Sequence, residues 1–531
     1  MLKGYLSLVL HAHLPFVKHP EYEDFLEEDW FFEAATETYL PILEALERLR
    51  GEGIPFAMNM VVSPSLAAMM ADPHHQGRLR RYLDRSIELA GRETMRLEGD
   101  PELGPVARFY LERLSRLRHR FVDIYGCDLI SALRRLSEDG SLELMTCAAT
   151  HGLLPLLKTN PEAVRAQVKV GAQEFQRHFG RRPRGIWLPE CGYYEGVEHF
   201  LADEDIRYFL VDSHCMQFAD PTPVHGVYAP LFTPAGVAAF GRDAESSKQV
   251  WSSREGYPGD AYYREFYRDV GYDRPFEEVR DFVQPTGLRK QTGLKYYRIT
   301  GDVDLSSKKP YMRGEAMERI AAHAGNFVFN RERQIEHLAG VLGRPPIVVA
   351  PYDAELFGHW WFEGPDFIEM LFRKVAFDQD VFRCITLSDY LTRHQVQQVS
   401  VPAAGTWGDK GYFEVWVNEG NDYILRHLFH CADEMVDLCD RFPDAQGVAR
   451  RALNQCAREL LLAQSSDWPF IITTGTMVDY AHRRVREHVL RFQRLARQVR
   501  EDCVDETWLG HLEHRDGLFP EIDYRVFRRG G

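Results

Sequence analysis

Residues 347–361 read Ile347-Val348-Val349-Ala350-Pro351-Tyr352-Asp353-Ala354-Glu355-Leu356-Phe357-Gly358-His359-Trp360-Trp361. The opening run is apolar without alternation, the pattern of a parallel strand covered on both faces. From Asp353 onward the segment turns abruptly acidic and aromatic. Apolar runs of the same kind recur at 5–10, 55–62, 142–147, 185–188, 208–211, 296–299 and 384–387. Helical spacing lies between several of them. Ile42, Leu46 and Leu49 share a face, as do Val164, Val168, Phe175 and Phe179, which come after Asn160 as N-cap and Pro161 at the first helical position. Strand–helix alternation over this length predicts an α/β fold, a distorted TIM-like barrel of (β/α)7 type.

Two stretches interrupt the alternation within residues 1–400. Residues 72–135 are charge-rich and helical, with Arg78, Arg80, Arg81, Arg85, Arg113, Arg116 and Arg118. They predict an inserted helical subdomain with a solvated charged face. Residues 232–290 are rich in Gly, Asp, Tyr and Arg and predict a long loop excursion. Residues 401–531 predict a C-terminal helical domain, with helical patterns at 423–442, 448–464 and 478–500.

Composition narrows the partners. The chain has 531 residues, is 45% hydrophobic and carries a formal net charge of −15. A phosphate backbone or an anionic membrane surface rewards Lys and Arg, so no nucleic acid or membrane partner is expected. A neutral polyol is indifferent to the charge. No run of 18 apolar residues is present, and the apolar run after Lys3 reads as a first core strand rather than a leader. Nine cysteines occur without a Cys-x-x-Cys pair, which argues against a disulfide framework and for a cytoplasmic setting. A monomer or small homo-oligomer is expected.

In a (β/α) barrel the chemistry sits at the C-terminal ends of strands. The runs end in His11-Ala12-His13-Leu14-Pro15, Thr150-His151-Gly152, Trp187-Leu188-Pro189-Glu190-Cys191-Gly192-Tyr193, Asp212-Ser213-His214 and the Asp353 cluster. Two readings compete. His11 and His13, completed by His151, His214 and Asp353, would make a zinc site of a metal-dependent deacetylase or amidohydrolase. Alternatively Glu190 and Asp353 would flank a glycosidic bond, about 5–5.5 Å apart if configuration is retained. Trp30, Trp251, Trp360, Trp361, Trp407, Trp416 and Trp468 mostly come after strands or lie in loops, which suits stacking on sugar rings and favours the second.

The segments Trp187–Tyr193 and Tyr352–Trp361 resemble the third and fourth signature regions of glycoside hydrolase family 57. His11-Ala12-His13-Leu14-Pro15 resembles the first, Thr150-His151-Gly152 the second and Ser466-Asp467-Trp468-Pro469-Phe470 the fifth. The resemblance spans nearly the whole chain. It implies Glu190 as nucleophile and Asp353 as general acid/base, with no metal and no cofactor. His11, His13 and His151 would bind the sugar nearest the chemistry. Trp30, Trp360, Trp407 and Trp416 would line the groove, and Asp467 and Trp468 would close it. Within the family the chain is most similar to members that cut α-1,4 bonds in amylose or glycogen and transfer the chain to a 6-hydroxyl. A 4-α-glucanotransferase, an α-amylase and a non-catalytic glucan-binding protein are the alternatives. Transfer in water demands a lid. The segment 232–262, with Phe240 covering the sugar, is the expected one.

Overall fold

The computed structural model describes residues 2–251, 256–283 and 286–530. Its strands are β1 (Gly4–Ala12), β2 (Met58–Val62), β3 (Leu142–Cys147), β4 (Gly185–Trp187), β5 (Tyr208–Val211), β6 (Leu231–Phe232), β7 (Ala238–Gly241), β8 (Ile347–Asp353), β9 (Phe382–Cys384) and β10 (Gln398–Val399). They form one sheet in the order β10-β6-β7-β5-β4-β3-β2-β1-β8, with β9 also paired to β1. The β6–β7 pairing is antiparallel. The seven strands from β7 to β8 are parallel throughout. The sheet curls until Asp243, just beyond β7, donates its backbone N–H to Val349 of β8 at 2.9 Å. The seven-strand α/β expectation therefore holds. β1 is its axis: all nine residues are buried, which explains the unbroken apolar run. Close packing also fixes Gly185 in β4, where a Cβ would lie 2.2 Å from the ring of Tyr208.

Three expectations need correction. The run 296–299 is not a strand; its links are the isolated bridges Arg264–Arg298 and Tyr297–Pro310. The start of 232–290 is not a loop, because it contains the end of β6, all of β7 and the helix Ala244–Trp251. The residues 252–255 within the expected lid lie outside the described residues. The charged stripe on the helix Pro73–Arg96 is not simply solvated. Arg78 binds Glu28 and the Tyr22 carbonyl, Arg81 binds Asp24 and the Glu23 carbonyl, and Arg85 binds Asp24 and the Asp281 carbonyl. This stripe at i, i+3 and i+7 pins the segment after β1 to the helix.

The C-terminal helices are Tyr423–Arg441, Gly447–Ala463, Asp467–Thr474, Val478–Arg500 and Glu506–Arg515. Their apolar faces join the same core as the barrel. Polar clamps cross the boundary: Arg484 donates to the Phe16 carbonyl at 3.2 Å, and Ser466 N–H donates to the His151 carbonyl at 3.0 Å. Among the described residues no helix is long and apolar enough to cross a membrane.

Candidate active site

The site grows from strand register. β1 and β8 are parallel neighbours, and His11 sits opposite Asp353. Side chains in register on adjacent strands point the same way, and His11 Nδ1 lies 3.1 Å from Asp353 Oδ1. His11 also stacks on Trp187 of β4, ring centroids 4.6 Å apart. His11 Nε2 is 3.2 Å from His151 Nε2, and His151 Nδ1 is 2.8 Å from Ser466 Oγ.

Glu190 lies in a tight turn, Pro189–Cys191, immediately beyond β4. Its backbone is left-handed at φ 59°, as are those of His151 at φ 60° and Cys191 at φ 51°. Non-glycine residues enter that region at a cost of roughly 1–2 kcal/mol each. The turn is held by Trp407, whose N–H donates to the Glu190 carbonyl at 2.9 Å. The carboxylate receives two more donors: Trp407 Nε1–H on Oε2 at 2.9 Å and Ser466 Oγ–H on Oε1 at 3.0 Å. Strain concentrated on three site residues aims the carboxylate at the position these donors define.

The electrostatics separate the histidines. Burial drives His11 and His151 well below the ordinary imidazole value, helped in each case by the neighbouring His13. Burial acts on His13 too, but the Asp467 carboxylate on its Nε2 reverses the direction and raises it. Asp467 is correspondingly lowered to about 2, since His13 outweighs burial. Glu190 is pushed up to about 7 by burial, with the Asp353 and Asp467 charges adding and Trp407 and Ser466 opposing. Asp353 is pushed up to about 7 by its packed surroundings against His13 and Arg242. Its side chain keeps 36% exposure, whereas that of Glu190 keeps 14%.

Glu355 is a fourth carboxyl in the cluster, beside Glu190, Asp353 and Asp467. It accepts from His13 N–H at 3.2 Å and from Tyr39 Oη–H at 2.5 Å. Burial and the Asp353 charge push it up to about 8. Tyr39 reaches it from a π turn, Ala35–Tyr39, in an otherwise α-helical segment. Glu355 stands two residues beyond Asp353 in the same motif, so its position in sequence was visible and its partner Tyr39 was not.

The aromatic residues divide. Trp407 lies directly against Glu190. Trp30 is partly buried and meets Tyr480 edge-on at 5.9 Å. Trp360 is 55% exposed, with one face stacked on Phe266 at 4.5 Å. Three expected groove residues do not lie open to a groove. Phe240 belongs to β7 and is 1% exposed, packed edge-on against Tyr208 and Tyr390. It is a core residue and not a lid. Trp468 is fully buried and donates Nε1–H to the Leu462 carbonyl. Trp416 is buried against Gly408.

Of the expected zinc set, His11, His13, His151 and Asp353 gather at the site and His214 does not. His214 packs on Gly405 and Gly411 instead, with Nδ1 3.2 Å from Asp212. His13, His151 and Asp467 do bring ligand atoms within 4.8 Å of one another. Yet the His13 and His151 rings stack at 3.8 Å and 11°. A zinc ion must lie near the plane of each imidazole that binds it, which two stacked rings do not allow together.

Fold and cluster are those of a barrel-type carbohydrate-active enzyme. The family model described as Glycosyl hydrolase family 57 matches residues 7–337. One described as 1,4-alpha-glucan branching enzyme, C-terminal, matches residues 427–527. The chain belongs to glycoside hydrolase family 57. It is 35% identical over 562 residues to the 1,4-alpha-glucan branching enzyme TK1436 of Thermococcus kodakarensis, covering 98% of this chain and 78% of that protein. Among solved structures it is similar to the alpha-amylase AmyC of Thermotoga maritima, with 42% identity, TM-score 0.94 and 99% of both chains covered. It is likewise similar to the GH57-type branching enzyme of Pyrococcus horikoshii, with 32% identity, TM-score 0.89 and coverage of 100% and 98%.

Proposed function

We propose that this chain is a 1,4-α-glucan branching enzyme that acts with retention on amylose and glycogen. The observation that carries the reading is the pair of carboxyls at the ends of β4 and β8. Glu190 is held by two donors, and Asp353 is paired with a histidine and partly exposed. Trp407 and Ser466 favour ionised Glu190, which attacks C1 of the glucan. Protonated Asp353 gives its proton to the departing O4. As Glu190 becomes a glycosyl ester its charge disappears. The mutual repulsion with Asp353 relaxes, and Asp353 changes from acid to base. It then takes the proton of an incoming 6-hydroxyl while the C1–O6 bond forms and the ester bond breaks.

His11, His13 and His151 line the sugar position next to the chemistry, and Trp30, Trp360 and Trp407 carry the chain beyond it. Residues 1–400 form the catalytic barrel and 401–531 the helical domain that supplies Ser466 and Asp467. The enzyme works in the cytoplasm as a monomer or small homo-oligomer, without cofactor or metal.

Incubation with amylose tests the reading, with new α-1,6 linkages and new reducing ends counted together. Branch points should form with few reducing ends, and both should vanish in Glu190→Gln. Reducing ends without branch points would favour the α-amylase reading that the likeness to AmyC supports. Rearranged linear chains alone would mean a 4-α-glucanotransferase. Loss of activity in chelator, restored by zinc, would revive the amidohydrolase.

A further inference from the structure

Four contacts join the two carboxyls without a break. They run Asp353 Oδ1–His11 Nδ1 at 3.1 Å, His11 Nε2–His151 Nε2 at 3.2 Å, His151 Nδ1–Ser466 Oγ at 2.8 Å and Ser466 Oγ–Glu190 Oε1 at 3.0 Å. All four fall in the hydrogen-bonding range. We propose that Ser466 is a catalytic residue that completes a proton relay through His151 and His11, so that Glu190 and Asp353 share one proton. The inference rests on the roles given to Glu190 and Asp353 under the proposed function.

Parity fixes the protonation states. A neutral imidazole offers one donor and one acceptor, and a hydroxyl has one hydrogen to give. If Ser466 donates to Glu190, then His151 Nδ1–H must donate to Ser466. His151 Nε2 is then an acceptor, so His11 Nε2–H donates to it. That leaves His11 Nδ1 as an acceptor facing Asp353, which must supply the hydrogen. Ionised Glu190 therefore goes with protonated Asp353. Reversing every bond gives the opposite pair, protonated Glu190 and ionised Asp353. Shifting one proton at each link moves one proton net from Asp353 to Glu190 and leaves both histidines neutral. With both imidazoles neutral, the chain has no arrangement with all links made in which both carboxyls are ionised.

The surroundings bias the balance. The Trp407 Nε1–H donor on Glu190 cannot be reversed, and it favours the ionised nucleophile. Asp467 and Asp353 oppose that. On the far side His13 and Arg242 act on Asp353, and the Asp353 charge acts in turn on Glu355. Burial holds His11 and His151 well below the ordinary value, which keeps them neutral as the relay requires. Once Glu190 carries the sugar its oxygen no longer accepts a proton through the chain. The proton of the incoming hydroxyl then stays on Asp353 until the ester is gone.

The test compares Ser466→Ala and Ser466→Thr in the full chain, with kcat, KM and the pH profile on amylose and a thermal melt for each. Ser466→Ala should lower kcat ten- to a hundredfold with KM changed less than threefold. The acid limb of the profile should move to higher pH, because Glu190 loses a donor to its ionised form. Ser466→Thr keeps the hydroxyl and should recover the limb and most of the rate. An alanine variant with the parent profile and rate would overturn the relay. So would a loss that threonine does not rescue, which would assign Ser466 to packing. Turnover retained in Glu190→Gln would overturn the underlying role assignment. An unchanged Ser466→Ala in an enzyme that Glu190→Gln silences would overturn the relay alone.

Discussion

The carboxylate of Asp467 straddles Nε2 of His13, with its oxygens at 3.1 and 3.0 Å. One residue opens a C-terminal helix and the other lies just past β1, 454 positions earlier in the chain. The contact holds the pKa of one imidazole of the cluster above its ordinary value, beside two that burial holds below it. Asp467→Asn should let His13 titrate at lower pH, because the remaining burial acts in that direction. Hydrogen bonds to charged groups are worth about 1.5–3 kcal/mol, so kcat/KM should fall roughly ten- to a hundredfold. Histidine NMR titration and steady-state kinetics check both halves.

The strained backbone at Glu190 gives a stability prediction separate from catalysis. Glu190→Ala and Glu190→Gly both remove the carboxylate and its bonds to Trp407 and Ser466, and both should be inactive. At φ 59° only glycine escapes the Cβ clash. The glycine variant should therefore be the more stable of the two by about 1 kcal/mol. Parallel urea titrations measure the difference, and equal midpoints would contradict it.

Activity should trace a bell in pH centred near neutrality. Below about 7 Glu190 takes up a proton and the nucleophile is lost. Above about 7 Asp353 gives up its proton and the acid is lost. Because the two groups interact, the limbs report the pair rather than either residue. The top of the bell should be narrow. A rate constant from roughly pH 5 to 9 would be incompatible with this proton economy.

Removing residues 420–531 should abolish turnover and leave an aggregating barrel. The deletion takes Ser466 from Glu190, Asp467 from His13 and the apolar cover from the shared core. A soluble, active fragment would mean that the helical part is an accessory.

Phe240→Ala should act on stability and not on the choice between transfer and hydrolysis. Emptying a buried aromatic site costs about 3–5 kcal/mol. Chemical denaturation should show that loss, with the ratio of branch points to reducing ends unchanged in the folded fraction.

Much of this molecule is legible in its sequence, for reasons that can be named. β1, β3 and β8 are long, well-covered strands, and continuous apolar runs announce them. β6 and β10 have two residues each, and β7 is four residues of which two are alanine, so no pattern marks them. The run 296–299 is apolar because its aromatic rings pack on the inserted helices: Tyr296 lies 6.2 Å from Tyr110. The carboxyls stand out because Asp353 ends β8 and Glu190 comes three residues after β4. The tryptophans mislead because one residue type serves both core and cleft, and only burial separates Trp468 from Trp360. Ser466 is a hydroxyl in a helical region, without a local pattern to mark its link to Glu190.

Synthesis on the ribosome makes that link a matter of timing. Glu190 precedes Ser466 by 276 residues. At about 5–20 residues per second, the ribosome takes roughly 15–55 s to cover that interval. By its end the nascent chain holds β1 to β10, Trp407 and Glu190, yet until residues 466 and 467 are added the carboxylate lacks its hydroxyl donor and His13 its carboxylate partner. The site is therefore complete only once residues 466 and 467 have been added, whatever the barrel has already assembled.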